Sequence, residues 1–295
     1  MFDPSSLKIM EKRIMKKLLF FAVICSFLFP STPLSASELK YPVVLVHGIA
    51  RNDRGRFVES WGRIPQVLRE NGIEVFFGNT DAWGDIGSNA ELLKATIDSI
   101  LENTGHERVN IIAHSKGGLD SRYLIWRHDF GDRVASLTTI STPHGGSEIA
   151  DFIYRSRLIH SEQARRGLLS LGRIFGDVNP DIFNVNQNLT TRNMREFNEN
   201  VTKDPRVFYQ VFYSVMDDPM EDPVYSFSHT FLRNVSGEND GLVSARSAGW
   251  GNNPVRLPMS LSHRQMTDQE TDEFPDNLIS DIYLDIVREL ARMGF

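Results

Sequence analysis

Cysteine is nearly missing from this 295-residue chain, and the one present, Cys25, sits inside an apolar run near the N-terminus. A lone thiol excludes a disulfide framework and any cysteine-built metal cluster, so the fold must be held by its hydrophobic core. The chain also lacks a long hydrophobic stretch. Its most apolar run, LLFFAVICSFLFP at 18–30, has 13 residues. A helix that crosses a bilayer needs about 20. Positive charge is in deficit, with 32 Lys and Arg against 38 Asp and Glu and a net charge of −6, which removes the electrostatic basis for nucleic-acid binding. Internal repeats and low-complexity tracts are absent as well.

The apolar run has an ordered setting. Lys16 and Lys17 precede it and the small residues SAS at 35–37 follow, the layout of a secretory signal peptide cleaved after Ser37. Polar residues ahead of Met15 point to translation starting at Met10 or Met15. Bulky Val23 and Ile24 argue against lipid attachment at Cys25. The first 37 residues hold five basic and two acidic side chains, so their removal leaves an acidic body of net charge −9. The sequence therefore predicts a leader over 1–37 and one α/β domain over 38–295, delivered to the periplasm or beyond the cell. A body of that length buries enough apolar surface to stand without disulfides.

Within the body, apolar runs alternate with helical patterns. YPVVLVHG (41–48), IEVFF (73–77), RVNIIAHS (108–115) and VASLTTIS (134–141) read as buried strands. SWGRIPQVLRENG (60–72) reads as a helix ended by Gly72, and SNAELLKATIDSILENTG (88–105) as a helix started by Ser88 and stopped by Gly105. RVFYQVFYSV resumes strand character from Arg206, and NLISDIYLDIVRELARM closes the chain as an amphipathic helix. Such alternation implies a parallel sheet covered on both faces, with functional residues beyond the C-terminal strand ends. Over 149–201 the alternation stops. Apolar clusters there (Phe152, Ile153, Tyr154; Leu168, Leu169, Leu171; Ile174, Phe175) are mixed with polar residues, which predicts helices lying over the sheet.

One of the strand ends carries AHSKGG (113–118). A serine on a tight bend between strand and helix is the arrangement that exposes a nucleophile for acyl transfer, with Ala113 standing where the pattern G-x-S-x-G has glycine. A serine hydroxyl is a poor nucleophile at neutral pH and needs a histidine base oriented by a carboxylate. Downstream of Ser115 the carboxylates on offer are Asp240, in the glycine-bounded loop SGENDGLVS (236–244), and the alternatives Asp217, Asp218 and Glu238. Asp240 is the strongest of these. Past it only His263 remains as base, while His114 and His144 are placed to brace loops and His229 precedes the acid. The oxyanion of the intermediate needs two backbone amides, and Ile49 (in HGIA) and Lys116 occupy the places that would supply them.

Taken together, YPVVLVHGIA, AHSKGGLDSRYL, STPHGGSEIADF and ENDGLVSARSAGWG resemble the bacterial secreted triacylglycerol lipases of the Pseudomonas and Burkholderia type. The resemblance implies an α/β-hydrolase fold, a mostly parallel sheet with a helical lid over 149–201, and hydrolysis of long or medium acyl esters at a lipid–water interface. It implies Ser115 as nucleophile, Asp240 as acid, His263 as base, and Ile49 and Lys116 as oxyanion donors. It also implies a structural calcium. Here the chain departs: Gln265 stands where an aspartate ligand follows the histidine, Gln269 matches a further ligand, and Asp217, Asp218 or Asp222 is left to supply the earlier carboxylate. Ala245 and Arg246 stand where a disulfide cysteine is common. No cofactor is needed for the chemistry. Beside a lipase or carboxylesterase, the same residues serve a phospholipase or thioesterase, and a non-catalytic effector on a hydrolase scaffold is the reading from a different class.

Overall fold

The computed structural model describes residues 39–51, 53, 60–156, 177–269 and 278–295. The leader, Cys25 and the middle of the expected lid, 157–176, lie outside the described residues.

The strands are β1 (Val43–Val46), β2 (Val75–Phe77), β3 (Val109–His114), β4 (Val134–Ile140), β5 (Phe208–Val215) and β6 (Val255–Ser260). They form one sheet in the order β2-β1-β3-β4-β5-β6, with every pairing parallel. β-Branched and aliphatic runs such as VVLV suit a strand covered on both faces, because alternate side chains enter different cores. Val43 and Leu45 pack on one face with Trp61, Ile64, Leu68, Tyr283 and Val287. Val44 and Val46 pack on the other with Leu93, Ile97, Ile111, Leu124 and Ile125.

Nine α-helices are found among the described residues: α1 (Ile64–Glu70), α2 (Ile86–Thr104), α3 (Lys116–Arg127), α4 (Glu148–Arg155), α5 (Ile182–Asn188), α6 (Thr191–Asn200), α7 (Ser226–Val235), α8 (Ala245–Ala248) and α9 (Leu278–Arg292). Helices α1 and α9 cover one face of the sheet, α2 and α3 the other. None of the described helices is long and apolar enough to cross a membrane.

Two boundaries differ from the sequence reading for local reasons. Asp85, not Ser88, caps α2, its side chain accepting from the amides of Gly87 and Ser88, while Gly105 at φ 76° ends the helix as expected. Helix α1 begins four residues later than Ser60 because Gly62 takes φ 47° where it lies against the Asp268 backbone; a Cβ there would sit 1.9 Å from the Asp268 carbonyl oxygen. The edge strand β6 and helix α7 were not legible, since β6 contains Pro258 and exposed Val255 and lacks a buried apolar run.

The chain order reverses between β1 and β3: β2 is added on one side of β1 and all later strands on the other. The crevice beyond the carboxyl ends of β1 and β3 is where such sheets place their sites. Gly48 and Ser115 stand there.

Candidate functional site

Strand β3 ends at His114 and α3 begins at Lys116, so Ser115 alone makes the turn. It does so at φ 54° and ψ −132°, a region a non-glycine residue occupies only when its surroundings enforce it. The surroundings are close-packed backbone. A Cβ on Gly48 would lie 2.6 Å from the Ser115 Cβ, and one on Gly117 2.4 Å from the His47 carbonyl oxygen. The Ser115 amide donates to the Ile140 carbonyl at 2.9 Å, tying the turn to β4. Ala113 is different: it is an interior residue of β3, in register with Val46 and Thr139, and its methyl fills space in the core beneath α2 and α3. The departure from the glycine pattern therefore falls at a position with room for a side chain.

The structure brings Ser115, His263 and Asp240 together from positions separated by up to 148 residues. The His263 Nε2 lies 2.9 Å from the Ser115 Oγ, and its Nδ1 donates to Asp240 Oδ2 at 2.8 Å. With Nδ1 as donor, Nε2 of the neutral ring is the acceptor that faces the hydroxyl. Asp240 is fixed in turn: its Oδ1 accepts from the amides of Leu242 (3.0 Å) and Val243 (2.8 Å), and its own carbonyl accepts from the His263 amide at 2.8 Å. Glycine at 241, with φ 96°, makes this reversal, and a Cβ there would meet Tyr225 at 2.5 Å. All three side chains are buried. The alternatives stand elsewhere: Glu238 pairs with Arg256 at 2.9 Å, and Asp217 and Asp218 are exposed on the turn after β5.

The other histidines brace. His114 donates from Nε2 to the His263 carbonyl at 3.0 Å, with the two rings 4.6 Å apart. Burial, reinforced by His263, holds His114 well below the usual histidine value, so it stays neutral beside the base. His144 accepts from Arg122 Nη1 at 3.1 Å, donates to Thr139 Oγ1 at 3.1 Å and stacks on Trp250; burial first, then Arg122, keeps it uncharged. His229 donates to the Met216 carbonyl at 3.1 Å.

Lys116 follows Ser115 directly in the chain, and Ile49 is joined to the turn through Gly48. Ile49 follows Gly48, which is packed on the serine, and its amide makes no backbone hydrogen bond among the described residues. Lys116 is the first residue of α3, where an amide has no carbonyl one turn back. Its side chain turns inward and meets Asp120 with Nζ–Oδ distances of 2.7 and 2.8 Å, both groups being buried. Asn89 adds a donor to Asp120 at 3.0 Å and accepts from the Asp81 amide at 3.0 Å. This buried pair was missed in the sequence, although its i, i+4 spacing on a helix was there to be seen.

Asp81 begins a second unpredicted feature. Its carboxylate accepts from the amides of Val178 (2.9 Å) and Asn179 (2.6 Å), while Asp177 accepts from the amides of Ala82 and Trp83, both at 2.9 Å. This reciprocal clasp joins the loop after β2 to the chain at 177–179. Ser147 caps α4, whose Phe152 and Ile153 are exposed.

Of the residues that the lipase resemblance offers to a calcium ion, Asp222 and Gln265 have their oxygens engaged. Both oxygens of Asp222 accept from Arg264, and Gln265 Oε1 accepts from the Ser262 amide at 2.8 Å. Gln269 donates from Nε2 to Thr267 Oγ1 at 2.6 Å, while its Oε1, the atom a cation would take, is buried and accepts no hydrogen bond among the described residues. Calcium takes six to eight oxygen ligands, several of them carboxylates. Among the described residues no cluster of three His, Cys, Asp or Glu could hold a metal, so the one free amide oxygen stands without the carboxylates the ion requires.

Comparison with known proteins agrees with this architecture. The profile of the palmitoyl protein thioesterase family matches residues 42–177. A triacylglycerol lipase of Pseudarthrobacter phenanthrenivorans is 43% identical over 118 residues, which cover 39% of this chain and 36% of that lipase. The matched part is thus about a third of the length of such relatives. Among solved structures, a lipase of Bacillus licheniformis in its mature form superposes with a TM-score of 0.62 at 24% identity, covering 84% of this chain and 92% of that one. The Staphylococcus hyicus lipase gives a TM-score of 0.68 at 16% identity, covering 90% and 99%. The fold is the α/β-hydrolase fold, and the resemblance to bacterial triacylglycerol lipases extends from motifs to architecture.

Proposed function

We propose that the chain is a serine hydrolase of carboxylic esters, a lipase or carboxylesterase, working through Ser115, His263 and Asp240. The observation that carries this reading is the continuous hydrogen-bonded relay, 2.9 Å from serine to histidine and 2.8 Å from histidine to aspartate, at a strained strand-to-helix turn. His263 Nε2 takes the hydroxyl proton as Ser115 Oγ attacks the ester carbonyl. Asp240 holds the ring and stabilises the imidazolium that forms. The negative charge on the former carbonyl oxygen is met by the amides of Ile49 and Lys116, each such donor being worth about 10²–10³ in kcat. The proton passes from His263 to the departing alcohol, and a water, deprotonated in the same way, hydrolyses the acyl enzyme.

The substrate class is lipid-like acyl esters taken from a lipid–water surface, in keeping with exposed Phe152 and Ile153 on α4 and with the similarity to lipases. The match to the palmitoyl protein thioesterase profile favours a second reading, a long-chain acyl thioesterase using the same three residues. The N-terminal pattern supports export after removal of residues 1–37, and N-terminal sequencing of the mature protein tests it. Rates on p-nitrophenyl esters from short to long chain, a phospholipid and a long-chain acyl thioester separate the readings, with fluorophosphonate labelling to report the nucleophile. Ester hydrolysis that rises with chain length and vanishes in Ser115→Ala is expected; hydrolysis retained in that variant overturns the assignment.

A further inference from the structure

We propose that the guanidinium of Arg264 braces the His263 loop in the place where the family resemblance would put a calcium ion. The inference rests on the reading of His263 as the general base.

Asp222 sits on the turn between β5 and α7, fully enclosed, and its carboxylate is saturated. Oδ2 accepts from Arg264 Nε at 2.7 Å and from Ser262 Oγ at 2.6 Å. Oδ1 accepts from Arg264 Nη2 at 3.0 Å and from the Val224 amide at 3.1 Å. The two side chains that reach it, Ser262 and Arg264, stand immediately before and after His263. One buried carboxylate therefore grips the loop on both sides of the base, and the planar fork of arginine matches it through two parallel bonds. Gln265 closes the loop on itself through Oε1 to the Ser262 amide. On the far side Asp268 repeats the device, accepting from the Arg63 amide, Nε and Nη2 at 2.8, 2.9 and 2.8 Å.

The same turn reaches the acid. Tyr225, whose amide donates to the Asp222 carbonyl at 3.0 Å, packs against Gly241 next to Asp240. Asp222 thus lies between the loop of the acid and the loop of the base, where a single cation can fix their relative position. A divalent ion would do this by collecting carboxylates. Here an arginine does it with one, and the site offers the ion no free carboxylate edge. Arg264 is a positioning residue: it touches neither substrate nor the reacting atoms and acts through the placement of His263.

The test pairs chelation with substitution. In the wild-type protein, prolonged EGTA treatment followed by calcium addition is expected to leave both Tm and ester hydrolysis unchanged. Arg264→Gln is expected to lower kcat by about 100-fold with KM little altered, the cost of displacing a catalytic group by about an ångström. Arg264→Lys, which keeps charge but not the fork, is expected to recover part of that loss. Fluorophosphonate labelling of Ser115 should slow in parallel in Arg264→Gln, with the pH profile of labelling displaced because the histidine is no longer held. A wild-type Tm that falls on chelation and returns with calcium overturns the proposal, as does full kcat in a folded Arg264→Gln. Should that variant fail to fold, the wild-type Tm measurement and Arg264→Lys still decide. Absence of any ester or thioester hydrolysis in the wild type would instead defeat the reading of the enzyme, leaving the chelation result to judge the brace.

Discussion

The floor of the site and the elements above it are built on opposite terms. On the floor, Ser115, Asp240 and His263 are buried, each polar atom that matters has a short partner, and even the neighbouring Lys116 and Asp120 are sealed together. Above it, α4 and α7 meet through Phe152 and Phe231, ring centroids 5.6 Å apart, yet Phe152 is 58% exposed and Phe227 on α7 is 83% exposed. Met220 and Val224 on the turn leading to α7 are also open to solvent. Polar groups are hidden and apolar groups are displayed, the reverse of what aqueous solubility alone would favour. The difference teaches a division of labour: the floor fixes the chemistry by preorganisation, and the upper surface is left apolar, which suits the proposed lipid-like ester.

The contrast can be broken first at the floor. Replacing Ser115 by Ala should cut ester hydrolysis by on the order of 10⁴–10⁶-fold while the unfolding midpoint stays within a degree or two, since the serine sits in a cavity alanine also fits. Asp240→Asn should lower kcat by about 10⁴-fold, because an amide that must satisfy Leu242 and Val243 with its oxygen selects the wrong tautomer of His263. Lys116→Met leaves the backbone amide in place but strands the buried Asp120 carboxylate; urea unfolding should show a loss of about 3 kcal/mol or more, with kcat per folded molecule much less affected. Burial already pushes Asp120 above the ordinary carboxylate value in spite of its lysine, which makes it the partner least able to stand alone.

The upper surface should respond to different measurements. Phe227→Ser is expected to leave turnover of a dissolved short-chain ester unchanged and to reduce the rate on an emulsified long-chain ester several-fold, as the withdrawal of one aromatic side chain from an apolar surface costs about 1.5–3 kcal/mol of adsorption at most. Equal effects on both substrates would end the proposed division. The smallest change is expected at Ala113→Gly, which restores the common motif: a loss of roughly 0.5–1 kcal/mol in stability from added backbone freedom, and activity within twofold.

These differences also mark what is legible in the sequence. The elbow, the glycine-bounded acid loop and the order serine, acid, histidine are local patterns, and the structure brings the residues they single out together. The alternating strands and helices were legible because buried parallel strands are continuous apolar runs. The grip of Asp222 on Arg264 spans 42 residues and joins two loops of no periodicity, so nothing in composition signals it. Lys116 and Asp120 were visible as a spaced pair, but that they are buried depends on α2 lying across them. Asp85 in place of Ser88 as the cap of α2 shows the same limit at short range: two capping residues stood three apart, and only the path of the incoming loop chose between them.

The reciprocal clasp of Asp81 and Asp177 acts as a buckle between the loop after β2 and the chain at 177–179. Each carboxylate accepts from two amides of the opposite stretch, so removing either one leaves two amides across the buckle without an acceptor. A buried polar group left in that state costs about 1–3 kcal/mol. The two stretches are therefore fastened or released together, as a single unit.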